Sequence, residues 1–367
     1  MNNKRSIVFD TNLVYFLIIC LFITIRIISS TFSIPTVWGY VLNAVIQLGL
    51  MLSLPLFLFS SLRKQKIKTT LNDYGFKKIG IKSIILSLLA GVIVYFITIF
   101  VATFFSAILS LLGYENTSSG TMTEYPLWLL FVELLFTAIL PGICEEVAHR
   151  GMLLHGYKKM GIKKAIVLSG FLFGLMHLNI EQFFYASLIG IFFGFVTFFT
   201  DSIYPAMIMH FTNNAISTFM GYASVNNLPI SNALNTFFNT MFGGNALLSI
   251  MMMFLFIFIL VGIMYLVVMA IFKDTRLRNM ASIADKVVKE ELRRSLMQGV
   301  DGAQDMQSQS DVNVDMKTYG NSKIFSIVMK TDYENVYKPT FRDNIFLYVN
   351  LFLGIAVTLS TFIWGVL

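Results

Sequence analysis

Three stretches of this chain place ionisable and amide side chains inside otherwise apolar runs. The first is Pro141-Gly142-Ile143-Cys144-Glu145-Glu146-Val147-Ala148-His149-Arg150. The second is Phe173-Gly174-Leu175-Met176-His177, and the third His210-Phe211-Thr212-Asn213-Asn214. A formal charge at the centre of a membrane helix costs roughly 2.5–3.5 kcal/mol on insertion scales. Left unpaired, Glu145, Glu146 and Arg150 would together cost on the order of 8–10 kcal/mol on that scale. Such residues must pair with one another or face water.

Spacing assigns their faces. Glu146 and Arg150 stand at i and i+4 with the acid first, the favourable order for an intrahelical pair. That pair neutralises both and leaves Glu145, turned about 100° away on a helix of 3.6 residues per turn, free to face something else. His210 and Asn214 are also at i and i+4, so both project to one spot. Phe173 lies one turn before His177 and can pack beneath its imidazole. Pro141-Gly142, just ahead of the two acids, should kink or open the helix and admit water, as hydrolysis requires. At 1.5 Å per residue, Glu145, His177 and Asn214 each lie about 17–20 Å from an inner helix end, with His210 one turn shallower. All four can therefore share one layer near mid-membrane. Another reading of the same groups is a metalloprotease with Glu145, His177 and His210 as ligands. No HExxH occurs, however, and Asn214 suits an oxyanion better than zinc.

The elements that position them are membrane helices. Of 367 residues, 56% are hydrophobic and 13% charged, about half the charged fraction of a soluble domain. Apolar runs long enough for a roughly 30 Å hydrocarbon core occur near 12–33, 38–62, 83–113, 126–157, 163–178, 182–199, 203–220, 243–272 and 344–366. The expected fold is all-α, a polytopic transmembrane bundle of about nine spans with one partly helical cytosolic segment. The net charge of +7 does not indicate nucleic acid, because Lys and Arg gather in short segments between the apolar runs. These segments are 63–82, 158–164 and 273–278. They alternate with outer loops at 114–125, 179–181 and 221–242 that hold no Lys or Arg, which predicts a cytoplasmic N-terminus and an outer C-terminus. The first run follows Asn2-Asn3-Lys4-Arg5, is too long for a signal peptide, and is expected as a retained helix. Cys20 and Cys144 lie in apolar runs, so neither a disulfide framework nor a CxxC metal spacing is present.

Glu145-Glu146-Val147-Ala148-His149-Arg150 matches EExxxR, Phe173 to His177 matches FxxxH, and His210 to Asn214 matches HxxxN. In this order on successive membrane helices, the motifs resemble the CAAX protease and bacteriocin-processing family, the Abi family of intramembrane glutamic endopeptidases. The resemblance covers roughly residues 80–220. It implies Glu145 as general base acting with His177 on a water, and His210 with Asn214 as the oxyanion donors. Glu146, Arg150, Phe173 and His149 are supporting residues, and the mechanism needs neither metal nor cofactor. The position before the arginine is commonly aromatic in that family and here is His149, one turn after Glu145 and spaced to hydrogen-bond it. Either a tuned base or a member of weakened activity would follow.

The expected division is a two-helix extension at 1–79, a protease core at 80–220, an outer loop and eighth helix at 221–272, a cytosolic segment at 273–343 and a final helix at 344–367. Within the cytosolic segment, Ala281 to Met297 reads as an amphipathic helix with Glu290 and Glu291 spaced to pair with Arg294. Gly302 to Ser322 reads as a polar linker. The expected partners are the bilayer, a membrane-associated peptide or protein substrate, and a further protein docking through 273–343. Prenylated C-termini, bacteriocin leaders and pheromone precursors are the substrate candidates, and a bacterial cell membrane is the expected location. The competing class is a non-proteolytic scaffold or immunity protein that binds a membrane partner. A transporter is disfavoured by the lack of a repeated half with paired broken helices. Arg26, inside the first run, should snorkel or pair with an acid on a neighbouring helix.

Overall fold

A computed structural model describes residues 5–32, 34–115, 124–297 and 337–366. Every regular element among them is helical. In chain order they are α1 (Ile7–Thr31), α2 (Thr36–Arg63), α3 (Ile67–Asp73), α4 (Ile81–Leu111), α5 (Leu127–Met160), α6 (Ile162–Met176), α7 (Ile180–Thr200), α8 (Tyr204–Val225), α9 (Pro229–Phe242), α10 (Ala246–Met297) and α11 (Phe341–Val366).

Seven of these are long and apolar enough to cross a membrane: α1, α2, α4, α5, α7, residues Leu247–Thr275 of α10, and α11. Their outward side chains are large and apolar, as at Ile81, Phe258, Leu266 and Trp364. Such surfaces are stable only against lipid, and the chain is an integral membrane protein. The two remaining expected spans are helices that fall short of that standard. α6 has 15 residues, about 22 Å of rise, and α8 is long enough but carries His210, Asn213 and Asn214 among its 22 residues. Both shortfalls fall in the stretches that hold the ionisable and amide side chains.

Two apolar cores flank those stretches. One joins α1, α2, α5 and α6 around Tyr15, Met51, Met152 and Leu172. The other joins α4, α7, α8 and α10 around Ile93, Phe193, Met209 and Val268. α6 and α7 cross closely at two glycines: a Cβ on Gly190 would stand 2.8 Å from the Gly170 carbonyl oxygen. Small residues at such crossings let backbones approach where no hydrophobic effect drives association. α11 is tied to α1 by polar contacts at one end. Asp343 accepts from Ser6 and Tyr337, and Asn350 Nδ2 donates to the Asn12 carbonyl at 3.2 Å. Just after α3, Tyr74 lies against Gly151 and donates to the Pro55 carbonyl at 2.7 Å. Burial pushes its phenol well above the ordinary range, so it remains a donor.

α10 is one continuous helix of 52 residues, about 78 Å of rise, far more than a bilayer needs. Ala281 to Met297 is thus helical, as an extension of the membrane helix. The side chains expected to pair there, and the linker from Gly302 to Ser322, lie outside the described residues.

Candidate active site

The acid pair sits where α5 departs from regular geometry. Wide π-type turns run over Leu134–Ile139 and over Val147–Leu153, and the α-helical segment between them, Leu140–Glu146, begins with Pro141 at its N-terminal end. Proline supplies no backbone N–H, so the preceding turn loosens, and π-turns inside α-helices gather at functional sites. One carbonyl in the first π segment, that of Thr137, accepts from Asn214 Nδ2 at 2.9 Å. Gly142 completes the arrangement, since a Cβ there would press within 3.1 Å of the Phe211 backbone. This close approach brings α8, with His210 and Asn214, onto the acid turn.

Glu146 and Arg150 form a fully buried ion pair, Nε to Oε2, at 3.1 Å. No guanidinium nitrogen has an aligned hydrogen bond among the described residues. The group lies instead over the rings of Phe173, at 4.4 Å, and Phe193, at 5.4 Å, where the ring quadrupole attracts a cation. The other oxygen of Glu146 accepts from His210 Nδ1 at 2.8 Å. A carboxylate only accepts, so Nδ1 carries the proton and Nε2 is the ring atom left for other contacts. Glu146 therefore orients His210 as well as neutralising Arg150, a role its motif spacing does not show.

Glu145 takes a separate course. Its Oε1 accepts from Gln47 Nε2 at 2.8 Å, and its Oε2 stands 4.0 Å from His210 Nε2. Gln47 belongs to the second expected span and lies in another π-type stretch, Val45–Leu58. No sequence motif marks it. Replacing it with Leu removes a charge-assisted hydrogen bond, worth roughly 1.5–3 kcal/mol. If Glu145 acts in a reaction, Gln47→Leu lowers kcat/KM at least about tenfold with little change in melting temperature, as measured by turnover and thermal unfolding in detergent.

His177 terminates α6. Its own N–H bonds to the Gly174 carbonyl, and its side-chain Nδ1 donates to the Phe173 carbonyl at 3.0 Å. The helix end thereby fixes the tautomer, with the proton on Nδ1 and the lone pair of Nε2 available. Asn179 caps α7 two residues later, accepting from the Glu181 and Gln182 N–H groups at 2.8 and 3.2 Å. A chain break at this depth is tolerated where it lines a cavity, and both His177 and Asn179 do so.

Phe173 has a wider role than packing under one histidine. Its ring lies 5.1 Å from that of His177, 5.6 Å from His210 and 5.0 Å from His149, all edge-to-face. His149 differs from expectation. Its Nδ1 bonds to the backbone carbonyl of Glu145 at 2.7 Å rather than to the carboxylate, which has turned towards Gln47 and His210. The far side of its ring meets Tyr15 of α1.

Two cavities adjoin at this cluster. One, of about 680 Å³, is bounded by Glu145, His177, His210, Asn213 and Asn214 together with Tyr95 and Thr98 of α4. The other, of about 640 Å³, lies between α1, α2 and the start of α7. Asn43, Gln47, Glu145, His177 and Gln182 line both. Among the described residues no group of three or more His, Cys, Asp or Glu is placed to hold a metal ion.

Residues 126–216 match the family model described as type II CAAX prenyl endopeptidase Rce1-like. The matched segment runs from the start of α5 into α8 and contains all three motifs. It excludes α1, α2 and α4, and with them Gln47. No curated protein and no solved structure matches the chain. The Rce1-like match supports a membrane endopeptidase acting on a membrane-embedded peptide.

Proposed function

We propose that this chain is an intramembrane endopeptidase of the glutamic type, with Glu145 as general base. The observation that carries the reading is that Glu145, His177, His210 and Asn214 border one chamber of about 680 Å³, with Glu145 held by Gln47 at 2.8 Å. Glu145, with the unprotonated Nε2 of His177, takes a proton from a water in that chamber. The water oxygen bonds to the scissile carbonyl carbon, and the oxygen of that carbonyl becomes anionic. His210 Nε2, when the ring carries both protons, and the remaining N–H of the Asn214 amide are the donors for it. Glu146 supplies the counter-charge to that ring. The C–N bond then breaks and the proton held by Glu145 leaves with the amine. Arg150, Phe173 and His149 hold the acids and imidazoles in place.

Substrate candidates are a prenylated C-terminus, a bacteriocin leader or a pheromone precursor. The basic segments at 63–82, 158–164 and 273–278 favour a cytoplasmic N-terminus, and a bacterial cell membrane is the proposed location. The test is cleavage of a panel of membrane-tethered peptides by purified protein, with and without a chelator. Cleavage that survives the chelator is the expected result. Loss on chelation with recovery in zinc would move the site to a metal mechanism. A folded wild type that cuts none of the peptides would favour the scaffold reading instead.

A further inference from the structure

The chamber between α1 and α2 has a feature that hydrolysis itself does not use. Phe22, Ile25, Arg26, Ser29 and Ser30 of α1 line it, at helical spacings of three and four that define one face. Ile27 and Ile28 project from the other side of the helix; Arg26 and Ser30 are exposed as well, and it is the chamber that they border. Arg26 is therefore on the chamber face. It has no acidic partner among the described residues, so of the two arrangements the sequence allows, snorkelling or pairing with an acid, the pairing is not made. Both serine hydroxyls beside it bond back to their own helix, at 2.8 and 2.9 Å, and the guanidinium is the one Lys or Arg group on that wall among the described residues. Among the described residues, the one formal charge of opposite sign on this chamber's wall is Glu145, at the junction with the chamber that His210 and Asn214 line.

We infer that Arg26 is a substrate-binding residue that takes the free C-terminal carboxylate of the peptide being cut. This rests on the endopeptidase reading. An unpaired cation in a membrane helix is costly, and its placement on a polar cavity wall gives that cost a use. His210 and Asn214 line only the first chamber. A scissile carbonyl directed at them puts the adjoining peptide at the Glu145 junction, with the second chamber open to the segment on the leaving side. A volume of about 640 Å³ falls in the range of pockets that enclose a drug-sized ligand, enough for a short C-terminal segment. Guanidinium matches carboxylate in a two-point, charge-assisted contact. The substrate so selected is a peptide whose scissile bond lies a few residues from a free C-terminus. An internal site in a long chain would have no anion to offer.

The experiment uses purified full-length protein and two farnesylated fluorogenic peptides of one sequence, ending in a carboxylate or in a carboxamide three residues beyond the prenylated cysteine. Wild type is expected to favour the carboxylate by roughly 10- to 100-fold in kcat/KM, the range of a charge-assisted hydrogen bond, mainly through KM. Arg26→Gln should collapse that ratio towards one, and Arg26→Lys should restore part of it. An equal preference in wild type and Arg26→Gln would overturn the assignment. So would a loss in Arg26→Gln that is the same for both peptides and varies with the anionic lipid content of the vesicles, which would make Arg26 a headgroup contact. Cleavage of neither peptide, nor of any tethered peptide, by folded wild type would overturn the endopeptidase reading and this one with it. Cleavage without carboxylate preference would overturn this one alone.

Discussion

Glu145→Gln is expected to lower kcat/KM for peptide cleavage by about 10³-fold or more, while the melting temperature in detergent moves by no more than a few degrees. A positioned general base contributes roughly 10²–10⁴-fold, and in the proposed mechanism the same group also gives the leaving amine its proton. The substitution keeps the size of the side chain and an oxygen for Gln47 Nε2 to donate to, so the 2.8 Å contact survives. The buried charge balance survives too, since Arg150 is neutralised by Glu146 and not by Glu145. What is lost is the capacity to take a proton. Activity above about a tenth of wild type would remove Glu145 from the role and point to His177 Nε2 as the base acting alone. An unfolded variant would show that the 4.0 Å approach to His210 is structural.

The parts of the site that could be read in advance are the local ones. Glu146 with Arg150, and His210 with Asn214, are single-turn relations, and a helix of fixed pitch converts such spacing directly into a shared face. The opening of α5 was legible for the same reason, because Pro141 acts on its own turn. What stayed hidden depends on contacts between helices far apart in the chain. Gln47 reaches Glu145 across 98 positions, and an amide in an apolar run carries no period or charge pattern to mark it. Likewise the bond from Glu146 to His210 crosses 64 positions, so the acid's second role could not be inferred from EExxxR alone. His177 is an intermediate case. Its place in a motif was evident, but the fact that α6 ends on it was not, and that ending sets its tautomer. A criterion of length and hydropathy recognises seven spans and passes over α6 and α8, because it treats a helix as uniform. These two are shortened or polar where they build the cavity.

Arg150→Leu should be the most destabilising single change at the site, at about 3–5 kcal/mol, the cost of leaving one member of a buried pair without the other. Glu146 would keep only His210 Nδ1 as a partner in a position with no solvent access. The cation that rests between Phe173 and Phe193 would be replaced by a smaller apolar group. Removing the charge on both sides tests whether that penalty is electrostatic. Glu146→Gln with Arg150→Leu should recover most of the lost stability, since apolar or neutral replacements of buried pairs are often tolerated. Activity should not return with it. The amide put in place of the Glu146 carboxylate can still accept from His210 Nδ1, but being neutral it gives that ring no counter-charge, and in the proposed mechanism the oxyanion loses a charged donor. A loss of roughly 10²–10³-fold in kcat is the expectation for one such donor. Thermal unfolding and turnover measured on wild type, the single variant and the double variant separate the two effects. A double variant as unstable as Arg150→Leu would mean that packing of the guanidinium between the rings, rather than charge, holds α5 to α6 and α7. A double variant both stable and active would mean that Glu146 serves only to neutralise Arg150, and that His210 needs no counter-charge to do its part.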